Sequence, residues 1–158
     1  MKIATSYFYQ IRFFTPNMIP FSTAVWDPKW YHFNQGQHIY GKDKRGVYNG
    51  LRIPPLAPKN VGCSGPKGCP HSPSNCSFMK LYREQLNKLD CHEIVSRLYK
   101  NLETIQQFEG FTDEPIAVLI VHEAPSNPCS ERSVIQEWFQ NNGYAVQELL
   151  YPIQGSIK

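Results

Sequence analysis

The run Ile-Ala-Val-Leu-Ile-Val-His at 116–122, bounded by Pro115 and Glu123, constrains this chain more than any other segment. Its side chains are apolar, mostly branched, and do not alternate with polar ones. That pattern predicts a strand buried on both faces, as in the middle of a parallel sheet. A helical pattern follows. It opens near Cys129 or Ser130, carries Val134, Ile135, Trp138 and Phe139 on its apolar side, and stops at Asn142-Gly143. Tyr144–Tyr151 reads as a last strand. A strand–helix–strand unit implies a right-handed crossover and a small, mostly parallel sheet.

The rest of the chain is consistent with an α/β fold. Residues 2–8 have the Ile, Thr, Tyr and Phe of a strand. Residues 20–26 read as a second strand, opened by Pro20 and ended by Asp27-Pro28. Phe78, Leu81, Tyr82, Leu86 and Leu89 recur at helical spacing. Asp90 and Glu93 form a capping box for a further helix, with Ile94, Val95, Leu98, Leu102, Ile105 and Phe108 as its apolar stripe and Gly110 as its stop. Between the early strands and the helices, residues 28–77 hold seven of the ten glycines and seven of the thirteen prolines. Long loops are expected there, with a short strand at 51–53; loops of that length usually carry function or move. The expectation is one compact α/β domain over 1–158, its sheet covered by helices, with a Gly/Pro/Cys-rich loop insertion at 59–76.

Composition limits the class of protein. With 41% hydrophobic, 13% aromatic and 18% charged residues, the chain is not of the disordered type. No run of 18 apolar residues exists, so no membrane-spanning helix is expected. The first residues do not have the form of a secretory signal, because Gln10 and Arg12 break the apolar stretch. A cytoplasmic protein is expected, and five cysteines, an odd number, favour metal, reactive or buried thiols over a disulfide framework. The net charge of +3 is unevenly spread. Residues 29–100 hold twelve Lys/Arg against four Asp/Glu, and residues 101–158 hold two against eight. One side of the molecule is thereby suited to an anionic small molecule or nucleic acid, unless both sets are simply solvated surface.

Ligands of open parallel sheets collect beyond the carboxyl ends of the strands. Glu123 emerges at such an end, and Cys129, Ser130 and Arg132 stand where the next helix begins. A helix start offers unpaired amides and a positive dipole end, which attract anions and lower the pKa of a thiol. Arg132 adds a forked donor for phosphate or carboxylate. In this reading Glu123, Cys129 and Arg132 are the catalytic candidates, with Ser130 and Tyr7 as substrate contacts and His122 as a neighbour. The structural alternative is that Cys129 or Ser130 only caps the helix and that Glu123 pairs with Arg132. Two residues between Cys129 and Arg132 are too few for a phosphatase loop, so a covalent thiol–phosphate step is not expected.

Several short blocks resemble the bacterial and phage proteins of the domain-of-unknown-function 488 family. They are Ser6–Phe8, Pro28–Tyr31, Leu56–Pro58, Tyr82–Asp90 and, most fully, Val118–Phe139. The resemblance implies a compact α/β domain and a site containing Ser6, Glu123, Cys129 and Arg132; it implies no particular activity. Two departures stand out. The usual Cys-His-Arg is here Cys129-Ser130-Glu131-Arg132, and Lys59–Cys76 looks like an insertion.

That insertion places Cys63, Cys69, His71 and Cys76 within fourteen residues. Four N/S ligands suit tetrahedral zinc, and a metal would order a loop without a core of its own. An iron–sulfur centre with Cys91 as fourth ligand is the alternative metal reading; free thiols or a disulfide are the others. Trp26, Trp30, Tyr31 and Phe33, near Lys29 and His32, are either base-stacking aromatics or core residues.

Two functions from different classes follow. One is an enzyme acting on a nucleotide, nucleoside or nucleic-acid base, with Glu123 in acid–base or ribose-orienting work. The other is a non-catalytic nucleic-acid-binding or interaction module with a metal-stapled loop, dependent on Lys42, Lys44, Arg45 and Arg52.

Overall fold

The computed structural model describes residues 1–33, 41–42, 48–59, 75–126 and 129–149. Among the described residues seven strands form one sheet: β1 (Lys2–Tyr7), β2 (Met18–Ser22), β3 (Tyr31–Phe33), β4 (Gly41–Lys42), β5 (Tyr48–Arg52), β6 (Ile116–Val121) and β7 (Val146–Glu148). Their order is β3-β5-β2-β6-β1-β7, with β4 attached to β5. Every pairing is parallel except that of β4 with β5. The expected single α/β domain with a mostly parallel sheet is therefore the observed fold, and β6 lies inside the sheet between β1 and β2.

The crossovers explain which face each connection covers. From β5 to β6 and from β6 to β7 the chain steps across the sheet in one direction. It does so through α1 (Ser77–Asn87) and α2 (Cys91–Glu109), then through α3 (Glu131–Asn141). From β1 to β2, and from β2 to β3, it steps the other way. Crossovers of one hand that travel in opposite directions must pass over opposite faces. The helices accordingly pack together on one face, against Ile3, Ile19, Phe21, Ala117, Leu119 and Val121. The opposite face is covered by the 3₁₀ segment Phe8–Phe13 and by residues 24 and 31, which pack on Val118 and Ile120. β6 feeds both cores with alternate side chains, which is why its sequence does not alternate in polarity.

Two helix starts and stops follow the expected chemistry. The Asp90 carboxylate accepts from the Glu93 amide at 3.2 Å, and Gly110 takes the left-handed conformation (φ 74°) that closes α2. Other expectations shift. In α1 the buried face is Met79, Tyr82 and Leu86, and Leu81 is 47% exposed. The face is set by partners that local spacing does not reveal: α1 packs beside α3, and the Tyr82 hydroxyl donates to the Leu56 carbonyl. Phe108, assigned to the stripe of α2, is likewise exposed. The short strand expected at 51–53 is β5 at 48–52, and the last strand is confined to Val146–Glu148 within the described residues.

Pro20 does not open β2 but stands in its middle. A proline between two strands removes a ladder donor, so its backbone must face a gap. The gap is on the β5 side, where pairing with β2 starts only at Phe21. Tyr31 fills it. Its hydroxyl lies 3.2 Å from the Pro20 carbonyl and also reaches that of Leu51. The Tyr31 ring passes over Gly50, where an added Cβ would come within 2.3 Å of the hydroxyl oxygen. Pro20, Tyr31 and Gly50 are thus one packing solution.

Candidate functional site

β1 and β6 are neighbours whose chains leave toward opposite faces, β1 into the 3₁₀ segment and β6 toward α3. That arrangement makes a crevice at their carboxyl ends. At these ends stand Tyr7, Ser22 as the last residue of β2 with Thr23 after it, and His122 and Glu123 after β6. All three catalytic candidates lie on the β6–α3 connection or at the start of α3.

Ser130 is the N-cap of α3 and its Oγ accepts from the Arg132 amide at 3.1 Å. The capping expected of Ser130 is therefore present. Arg132 is only 6% exposed, and its guanidinium is partly committed, with Nη1 buried and without a hydrogen-bond partner among the described residues. One Nη2 hydrogen goes to the backbone carbonyl of Glu123, while Nε lies 2.6 Å from Glu148 Oε1. The Tyr7 ring sits 5.8 Å from the guanidinium carbon. Arg132 and Glu123 thus meet, but through the Glu123 main chain; the carboxylate that pairs with Arg132 is Glu148.

Glu148 anchors a buried polar network. Its Oε1 accepts from the Thr5 hydroxyl at 2.8 Å. Gln136 Nε2 donates to Thr5 Oγ1 at 2.7 Å and approaches Glu148 Oε1 at 3.4 Å. Burial raises the Glu148 carboxyl against the opposing pull of Thr5 and Arg132. The network ties β1, β7 and α3 together beneath the crevice. Thr5, Gln136 and Glu148 escaped the sequence reading, although polar Thr5 and Ser6 inside an otherwise apolar strand were a signal. Ser6 itself is fully buried and its hydroxyl donates to the Leu149 carbonyl at 3.3 Å. Tyr7 accepts from Gln10 Nε2 at 2.9 Å.

Glu131 is the residue that sequence reasoning most clearly passed over. It opens α3 and is 5% exposed. Its spacing from Val134, Ile135 and Trp138 places it on the buried stripe, which the sequence already contained. Burial pushes its carboxyl up to about 8, and the neighbouring Glu123 carboxylate adds to the rise; Arg132 and Thr23 oppose it. Glu123 is half-buried, and its Oε2 is buried without a hydrogen-bond partner among the described residues. Burial thus favours the protonated form of Glu131 near neutral pH, beside the half-buried Glu123.

The remaining candidates are dispersed. Cys129 is half-buried, packs on the helix-side core and is in no disulfide. His122 donates from Nε2 to the Trp26 carbonyl at 2.8 Å, with its ring between those of Phe8 and Trp26. Cys63, Cys69 and His71 lie outside the described residues, as do Lys44 and Arg45. Cys76 is a buried residue at the start of α1. Cys91 is buried at the start of α2, and desolvation with Asp90 pushes its thiol up to about 11, away from the thiolate a metal needs. Among the described residues no group of three or more His, Cys, Asp or Glu is placed to hold a metal, and no helix is long and apolar enough to cross a membrane. Arg52, expected on a nucleic-acid surface, instead clamps the loop after β2. It pairs with Asp27 at 3.3 Å and donates to the carbonyls of Ala24 and Val25.

No family model, no curated protein and no solved structure matches this chain. Its functional reading comes from its own geometry.

Proposed function

We propose that this protein is an enzyme acting on a nucleotide, nucleoside or nucleic-acid base, with Glu123 as its working carboxylate. The observation that carries the reading is Glu123 at the carboxyl end of β6, whose Oε2 is buried without a hydrogen-bond partner among the described residues, close to Glu131, whose carboxyl burial raises to about 8. Paired carboxyls in different protonation states are the usual equipment for acid–base work on a glycosidic bond. In N-glycosidic cleavage Glu123 takes a proton from the attacking water and opposes the positive charge that develops at the anomeric carbon. The C–N bond breaks, its electron pair leaves with the base, and the base acquires a proton. The water oxygen bonds to the anomeric carbon as the C–N bond breaks, the base takes its proton from solvent, and Glu123 returns its own proton to solvent. Arg132, through the Glu123 carbonyl, and Ser130, as helix cap, position the loop.

Incubation with a panel of nucleosides, nucleotides and oligonucleotides, with chromatographic detection of released base, tests the proposal. Glu123→Gln is expected to lower turnover by about 100-fold or more. Unchanged turnover in that variant, or no base release from any member of the panel, would remove the reading. The second reading, a nucleic-acid-binding module, is favoured by a groove on the other side of the crevice.

A further inference from the structure

On the face of the sheet opposite the helices, the chain leaving β1 and the segment around β3–β5 enclose an open cleft of about 320 Å³. A second hollow of about 410 Å³ shares Ile11, Arg12, Lys42 and Tyr48 with it, so the two adjoin. The walls of the first cleft combine four aromatic rings, Phe8, Tyr9, Trp30 and Tyr48, with two cations, Arg12 and Lys42. Tyr9 is 52% exposed and Trp30 38% exposed, an unusual outlay of ring surface to water for a chain with this much buried core. The Arg12 guanidinium lies 3.9 Å above the Tyr9 ring, and its Nε is held by the Tyr9 carbonyl at 2.9 Å, so the charge stands fixed at the rim. Among the described residues no carboxylate lines the first cleft; Glu109 stands only in the second hollow.

We infer that this groove binds a single-stranded nucleic acid, whose bases stack on Trp30 and Tyr9 and whose backbone phosphates lie against Arg12 and Lys42. Rings at the wall with cations at the rim are the combination that a strand of unpaired bases requires. Stacking accepts any base, and the cations follow the backbone. A duplex has its ring faces covered and cannot use the aromatics. Two adjoining hollows that share the same two cations argue for a polymer over a lone nucleotide. Charge division supports the same occupant. The carboxyl corner at Glu123 and Glu131 repels phosphate, and the groove supplies the cations that corner lacks. The two are adjacent: the Phe8 ring lines the groove and is 4.8 Å from that of His122, the residue before Glu123. The inference deepens the enzymatic reading by naming a strand as the substrate class, and it rests on that reading only for what happens at Glu123.

Fluorescence anisotropy with a labelled oligothymidine, at low and moderate salt, tests it. The expected result is binding that weakens steeply with salt, quenching of tryptophan emission, and weaker binding of the matching duplex. Arg12→Gln with Lys42→Gln is expected to lower affinity by tenfold or more and to flatten the salt dependence. Trp30→Ala is expected to lower affinity by about tenfold without altering that slope. Circular dichroism of each variant checks that the fold is intact. Equal affinity for strand and duplex, affinity unmoved by these substitutions, or thymidine monophosphate binding as tightly as the strand would overturn the inference. Glu123→Gln separates it from the enzymatic reading: strand binding kept in that variant, whether or not any base is released by the native protein, supports the groove, and strand binding lost there overturns it.

Discussion

Glu131 shows how one residue links stability to chemistry. Its carboxyl is raised from the ordinary value of 4.5 to about 8, chiefly because burial disfavours the charged form. The folded state therefore holds this proton more tightly than the unfolded chain does. Its stabilising effect is complete below about pH 4.5 and is lost as pH rises toward about 8, on the order of a few kcal/mol over that window. Glu148, also raised, acts in the same direction. Glu131→Gln keeps a neutral group of the same shape. The variant is expected to lose much of the fall in urea midpoint between pH 5 and pH 8 that the native protein shows, and to be the more stable of the two at the upper end. Parallel stability–pH curves for both proteins would mean that Glu131 is ionised in the fold, and the carboxyl pair would then carry two charges.

Among the elements, β2 and β5 meet where a regular ladder cannot form. Pro20 has no amide hydrogen, β5 begins to pair only beyond it, and Tyr31 crosses the space with its ring over Gly50. The tyrosine hydroxyl is buried and stays protonated far above its ordinary value, so it serves as a permanent donor to the Pro20 and Leu51 carbonyls. Gly50→Ala forces the ring off this position. A loss of about 1–3 kcal/mol is expected from overpacking, readable as a lower urea midpoint with little change in slope. A variant as stable as the native protein would show that the ring has room to move. The consequences for the groove should be visible in the same variant, since Tyr31 stacks on Tyr48 at 6.1 Å between centroids and Tyr48 lines the cleft.

For the whole molecule, the central strands hold two cores in register. β6 pairs with both β1 and β2 along its length, and Ala117–Val121 are almost wholly buried. Hydrogen exchange is expected to be slowest at the amides of β1, β2 and β6, which open only with global unfolding. β7 at one margin, paired with β1 over three residues, should exchange sooner. Protection of β7 equal to that of β6 would mean that the Thr5–Glu148–Arg132 network binds the margin as firmly as the centre.

Much of this architecture was legible in the chain alone. The unbroken run 116–121 marked a strand that meets apolar neighbours on both sides, and that requirement is local: water is excluded from both faces whatever the partners are. Asp90, Glu93 and Gly110 marked the ends of α2 because capping acts within one turn. The choice among candidate side chains was decided only in three dimensions. Sequence brought Glu123 and Arg132 to the same connection, yet Arg132 found its carboxylate in Glu148, sixteen positions onward and across the sheet. The exposed Leu81 and Phe108, the central Pro20 and the buried Glu131 have one cause in common. Periodicity states which residues share a face, while the packing of distant elements decides which face is covered, and with it which charges must find a partner or keep a proton.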